Sequence, residues 1–249
     1  MKLVLFADGD VGQGIYQWLL DCWPADLAMV VTAGENEISH SAREHGLATC
    51  HFISTEQTLQ ACAELGIAFD LGLLAWWPKI VQPPLLALPE HGFINTHPSL
   101  LPHNRGKHYN FWAIVEQAPF GVTLHRVDVG IDTGDIVAQQ TIDYGWVDTG
   151  QSLYEKAGIG MLDLFKSTYG AIRSLDFASH PQPSGVGSFH RSKELDAASE
   201  IHLDQTYTGR QLINLLRART FPPHPGCWFS DGEEKYEIRI TIGTKIERT

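Results

Sequence analysis

Short, wholly apolar runs that alternate with helical patterns constrain this chain more than any other feature. "KLVLFA" is followed by "DGDVGQGIYQWLLD", in which glycines 9, 12 and 14 form a Gly-rich turn into a helix with Ile15, Trp18 and Leu19 on one face. "LAMVV" (Leu27–Val31) precedes "SHSAREHGL", a helix opened by Ser39 and closed near Gly46. "EQTLQACAELGI" then leads to "DLGLLAWW", and "PPLLALPE" to "GFINTH". Strands without a polar face must be covered on both sides, and a helix between consecutive strands makes them parallel. The expectation is therefore an α/β fold: a Rossmann-like, mostly parallel sheet with helices on both faces, binding ligands at the carboxyl edge of its strands. The 249 residues, 43% hydrophobic and 19% charged, suffice for such a core.

The pattern changes downstream. "GVTLHRV" and "DIVAQQTI" read as two strands joined by the turn "DVGIDTGD", and "DTGQSLYEKAGIGMLDLFKSTYGAI" as a long helix with Leu153, Ala157, Met161 and Leu164 inward. A Pro-, Gly- and Ser-rich stretch at 176–188 separates this from a helix capped by Thr208, "TGRQLINLLRA", and a hairpin turning at Asp231-Gly232. Two units are predicted: residues 1–180, and a small helix-and-hairpin appendage at 181–249.

Several function classes recede. A net charge of −11 repels a phosphate backbone, so no nucleic-acid partner is expected. Four scattered cysteines (22, 50, 62, 227) without CxxC spacing suggest reduced thiols, and the apolar run Leu3–Ala7 is too short for a signal or a membrane span. The expectation is a cytoplasmic protein without a membrane partner. "GDVGQG" is G-x-x-G-x-G, and Glu35 lies past Gly34, so close packing of strand and helix explains these glycines better than a dinucleotide does.

Chemistry gathers in "FINTHPSLLPHNRGKH". Alternation along a strand points Asn95 and His97 the same way, and Pro98 ends the strand. The glycines around Asp132 permit a turn that returns a carboxylate to the same edge. A histidine for proton transfer, an aspartate to orient it and an asparagine to donate to an oxyanion suggest acyl chemistry without an enzyme nucleophile.

"INTHPSLLPHNRG" followed by "GVTLHRVDVGIDTGDIVAQ" resembles the folate-dependent formyltransferases, over roughly residues 1–170. The resemblance implies transfer of a formyl group from 10-formyltetrahydrofolate, with no metal, and places the catalytic Asn, His and Asp on Asn95, His97 and Asp132. It implies folate contacts at Trp76, Lys79, Asp128 and Val129, although a lysine placed like Lys79 after a strand is usually just solvated and Asp128 or Asp135 also reads as a turn cap. The tail, with "LINLLRARTFPP" and its hairpin, resembles bacterial nucleotide-linked sugar N-formyltransferases. That implies an amine of a nucleotide-linked amino-dideoxy sugar as acceptor, dTDP-4-amino-4,6-dideoxyglucose or the 3-amino isomer, for O-antigen or a related glycan. A glycinamide ribonucleotide-like acceptor, or a non-catalytic folate or nucleotide-sugar binding protein, is the alternative. Methionyl-tRNA formyltransferases, by contrast, carry a larger basic C-terminal domain.

Cations for a diphosphate are sought at Arg105, His108, Lys193, Arg217 and Arg219, near Lys107, His190 and Arg191. For Arg105 and His108, solvation is the rival reading. Phe221 or Trp228 could stack on a base, and packing under the hairpin explains Phe221 as well. The hairpin has an edge to cover, so a homodimer through it is expected.

Overall fold

The computed structural model describes residues 1–244. Its sheet has five parallel strands: β1 (Leu3–Ala7), β2 (Leu27–Thr32), β3 (Ala48–His51), β4 (Leu71–Ala75) and β5 (Phe93–His97). After the two-residue β6 (Arg105–Gly106), the antiparallel β7 (Gly121–Arg126) and β8 (Ile136–Thr141) extend it, in the order β3-β2-β1-β4-β5-β7-β8. The helices are α1 (Gly9–Cys22), α2 (Glu37–Glu44), α3 (Thr55–Leu65), α4 (Pro83–Leu86), α5 (Tyr109–Glu116) and α6 (Gly150–Arg173). The C-terminal part holds β9 (Phe189–His190), α7 (Glu194–Ala198), α8 (Gly209–Ala218) and the hairpin β10 (Cys227–Asp231) with β11 (Glu234–Ile238). This is the expected mostly parallel α/β fold with a small C-terminal helix and hairpin. No helix among the described residues is long and apolar enough to cross a membrane.

Two cores sandwich the sheet. On one face Leu5, Ala7, Leu73, Ile94, Val122 and Leu124 pack with Ile15 and Leu19 of α1, Phe111 and Ile114 of α5, and Met161 and Phe165 of α6. On the other, Val4, Phe6, Met29, Val31, Leu74 and Phe93 meet Cys62 of α3 and Leu85 of α4. Since Phe93, Asn95 and His97 share a face, the polar pair continues this second layer beyond the reach of α3 and α4.

Local departures from the sequence reading have local causes. Gly9, Gly12 and Gly14 lie inside α1 and form no separate turn. A Cβ on Gly12 would sit 2.8 Å from the Ala75 carbonyl, so close packing of α1 on β4 requires this glycine. Asn36, not Ser39, caps α2; Ser39 completes the capping box from the third helical position. The hairpin closes at Asp231 and Glu234, one residue later than expected, and β11 ends at Ile238. β3 and α5 were not foreseen: β3 is an edge strand of four half-buried residues, and α5 has a short, mostly apolar sequence lacking a polar face to signal its period.

The C-terminal elements pack back onto the sheet domain. α8 lies against α5 and α6. β9 pairs with β6, so the segment after the Pro/Gly-rich stretch runs beside residues 105–107. Ile201, Leu216 and Cys227 form a small core of their own.

Candidate active site

Asn95 faces His125 across the β5–β7 pairing, and its Nδ2 donates to His125 Nε2 at 3.1 Å. His125 Nδ1 lies 2.8 Å from the Arg126 carbonyl oxygen. A carbonyl only accepts, so Nδ1 carries the proton and Nε2 is left to accept from Asn95.

Asp132 reaches the same spot by a longer route than the sequence suggests. β7 runs against β5, so the turn begins beside the start of β5, where Val127 N–H donates to the Phe93 carbonyl (2.9 Å). Residues 127–131 then carry Asp132 back over the sheet face. It adopts a left-handed backbone conformation (φ 53°), uncommon outside glycine but one that aspartate tolerates better than most residues. Its Oδ1 lies 3.4 Å from His97 Nδ1 and 3.6 Å from His125 Nε2, and its Oδ2 accepts from the Gly106 N–H at 2.9 Å. Asp128 Oδ1 accepts from the Gly130 N–H (3.0 Å) and the Thr133 hydroxyl (2.7 Å). Gln182 donates to the carbonyls of Asp132 and Gly134 at 2.8 and 2.9 Å.

Burial lowers the His97 imidazole below its ordinary range, and Asp132 opposes this in part. For Asp132, burial alone would raise the carboxyl, but His97, His125 and the Gly106 amide together hold it well below the usual carboxylate range. At neutral pH the site thus presents an anionic Asp132 beside a neutral His97 whose Nε2 is buried without a partner. None of the four cysteines lines the cleft. The arrangement can accept a proton and donate hydrogen bonds to a developing negative charge.

These residues line a cleft of about 530 Å³, with walls from Trp76, Trp77, Ile80 and Val127. A second cleft, of about 580 Å³, lies between α5, α8 and residues 219–225. Lys107, His108, Tyr109 and Tyr154 border both. Tyr154 accepts from Trp76 Nε1 at 3.2 Å, and the Tyr109 hydroxyl is buried without a partner.

Trp76, Lys79, Asp128 and Val129 all line the first cleft, but the Lys79 ammonium donates to the carbonyls of Ala33 (3.2 Å) and Phe52 (3.0 Å) and ties down the rim. Arg219 and Phe221 line the second cleft with His224, and His190 and Arg191 line the first. Arg217 does not reach a cleft. It is 4% exposed, and its guanidinium donates to the carbonyls of Gly145 (2.6 Å) and Asp148 (2.9 Å) and to Asn214 (2.9 Å). It fastens α8 to the loop before α6, because its place on the helix faces inward. Arg105, Lys193 and Trp228 also lie outside both clefts; Lys193 is exposed at the start of α7, and Lys235 covers the Trp228 ring at 4.0 Å. Sequence reasoning missed His125, Gln182, Tyr109, Tyr154 and His224. Only His125 had a visible signal, a lone histidine in an apolar strand beside the Asp132 turn.

Residues 24–158 match the Formyl transferase family. The chain belongs to that family. Residues 194–244 further match the N-formyltransferase dimerization C-terminal domain. A curated methionyl-tRNA formyltransferase of Geobacter metallireducens is 27% identical over 187 residues, 71% of this chain and 56% of that protein; the chain therefore spans little more than half of it. A sugar N-formyltransferase from Shewanella sp FDAARGOS_354 shares the fold throughout, with a TM-score of 0.81, 22% identity and 99% of each chain covered. The N-formyltransferase from Helicobacter canadensis, solved with folinic acid and dTDP-3-aminofucose, superposes with a TM-score of 0.67 at 20% identity, over 89% of this chain and 81% of that one.

Proposed function

We propose that this formyl transferase moves a formyl group from 10-formyltetrahydrofolate to the amine of a nucleotide-linked amino-dideoxy sugar, dTDP-4-amino-4,6-dideoxyglucose or its 3-amino isomer. The observation that carries this reading is the meeting of two clefts at His108, Tyr109 and Tyr154, with Asn95, His97 and Asp132 at the base of the first. The first cleft suits a flat pterin: its walls are aromatic and apolar, its volume is typical of cofactor sites, and His97 Nε2 lacks a partner. The second combines Phe221 for a base with Arg219, Lys107 and His108 for a diphosphate.

The folate, as cosubstrate, supplies the activated formyl group. Tyr109 and His108 border the passage through which the neutral sugar amine approaches the formyl carbon. One hydrogen of the Asn95 amide donates to His125, which fixes the side chain and leaves the second for the formyl oxygen as negative charge develops there. His97 contributes beside it. Asp132, anionic and 3.4 Å from His97, takes the proton the amine loses, directly or through a water. Collapse of the oxyanion breaks the C–N10 bond as that proton passes on to N10, which releases tetrahydrofolate, leaves the formamide and restores the Asp132 carboxylate. We further propose residues 1–180 as the transfer domain, residues 181–249 as the acceptor and dimerisation region, and a cytoplasmic homodimer paired through the hairpin.

A tRNA acceptor is the second reading, favoured by the name of the curated relative. The net charge of −11 opposes it. Calorimetric titration discriminates: tetrahydrofolate and dTDP should bind together, each without displacing the other. Mutual exclusion of the two, or no binding of dTDP alongside formylation of a tRNA, contradicts the two-cleft reading.

A further inference from the structure

We infer that His97, His125 and Asp132 form a reversible binding site for a divalent transition ion such as Zn²⁺, and that the ion shuts off the transfer site. The resemblance to the folate-dependent formyltransferases implies no metal. In the fold, one donor atom from each lies within 4.8 Å of the others, and among the described residues no second group of three His, Cys, Asp or Glu donors gathers this way.

The fit goes beyond proximity. Zinc bonds of roughly 2.0–2.1 Å in a tetrahedron place ligand atoms about 3.3 Å apart. Asp132 Oδ1 lies 3.4 Å from His97 Nδ1 and 3.6 Å from His125 Nε2, so two of the three edges need almost no adjustment. Metal-binding imidazoles characteristically donate their other N–H to a carbonyl. His125 does so to Arg126, at 2.8 Å, which leaves its Nε2 lone pair facing the site. Asp132 is similarly held, with Oδ2 on the Gly106 N–H and Oδ1 turned toward the two imidazoles. Two imidazoles and one carboxylate are a borderline-soft set that selects Zn²⁺ or Co²⁺ over Mg²⁺ or Ca²⁺. All three residues line the first cleft.

A bound ion removes both functions proposed for the site. The carboxylate that accepts the amine proton becomes a ligand, and Asn95 loses its contact with His125 Nε2. The ion thus competes with the formyl end of the folate and does not assist it. Binding follows from the geometry alone, whereas inhibition also rests on the proposed formyl transfer, so each has its own readout.

Binding is tested on chelator-treated full-length protein by equilibrium dialysis with ZnCl₂, and by the visible absorption of added Co²⁺. The expected result is one tightly bound ion per chain, a tetrahedral Co²⁺ band, and no comparable binding of Mg²⁺. His125→Asn and Asp132→Asn, checked for native circular dichroism, should each weaken zinc at least about 100-fold, since losing a ligand costs no less than losing an outer partner. Should one variant fail to fold, the other suffices. The His51→Ala variant, away from the cleft, should bind as the parent does. Unchanged zinc affinity in a folded His125→Asn or Asp132→Asn protein, or the absence of a Co²⁺ band from the parent, overturns the site. For inhibition, stoichiometric zinc should abolish tetrahydrofolate release, EDTA should restore it, and more folate should relieve it. Turnover that is unaffected or increased with the ion bound overturns the inhibitory role.

Discussion

The two clefts that meet at Tyr109 and Tyr154 are built in opposite ways. The first rests on a sheet: β5 and β7 present Asn95, His97 and His125 from paired strands, and one turn adds Asp132. The second lies at a seam, where α8 and residues 219–225 pack against α5 and residues 107–109. A site on paired strands has its geometry fixed by backbone hydrogen bonds, whereas a seam is fixed by whatever fastens its two sides. In this protein Arg217, the β6–β9 pairing and the α5–α8 contact do the fastening. The division suits the proposed reaction: chemistry on the rigid floor, acceptor choice at the adjustable seam.

The sharpest way to break the comparison is to remove a group from the floor. Asp132→Asn or His97→Ala should lower kcat by about two to four orders of magnitude, the scale of acid-base and oxyanion groups, while leaving the acceptor KM nearly unchanged. A large rise in acceptor KM with kcat preserved would move these residues to the seam. Arg219→Ala should do the reverse. Loss of a charged hydrogen bond to a diphosphate, about 1.5–3 kcal/mol, raises the acceptor KM roughly 10- to 150-fold at nearly constant kcat. Steady-state kinetics with varied acceptor reads both.

Arg217 separates the fastening from the ligand. Arg217→Ala leaves the buried Asp148 carbonyl and the partly buried Gly145 carbonyl without their donor and should destabilise the fold by about 1–3 kcal/mol in urea unfolding. Tetrahydrofolate affinity in the first cleft should not change. If acceptor KM rose without loss of stability, Arg217 would be a substrate cation after all.

A smaller effect concerns pH. The His97 imidazole is lowered by burial, so a reaction needing it neutral loses rate only as pH falls through a value below the ordinary 6.5. Asp132 raises His97, so Asp132→Asn should shift the acid limb of the residual kcat/KM further down. A limb that moves up would mean that His97 is not the titrating group.

The same contrast decides what could be read in advance. The parallel sheet was legible because strands such as Leu3–Ala7 are buried on both faces and show it in composition. Asn95, His97 and Asp132 were legible because strand alternation and a glycine-flanked turn act locally. His125 escaped because its role depends on register with Asn95, and Gln182 because it lies some fifty residues from the turn it pins. At the seam, a run of cations pointed to this stretch without telling Arg219, which lines the second cleft, from Arg217, which is buried two positions away. Helix phase separates them, and the fold of the partner surface sets that phase.

The most direct test of the whole account is tetrahydrofolate release from 10-formyltetrahydrofolate, followed spectrophotometrically with a panel of dTDP-, UDP- and GDP-linked 3-amino and 4-amino dideoxy sugars. The account predicts turnover with a dTDP-linked member, giving the formamide, and none without a sugar. Silence across the panel while folate binds, or equal release with water alone, would contradict transfer between the two clefts.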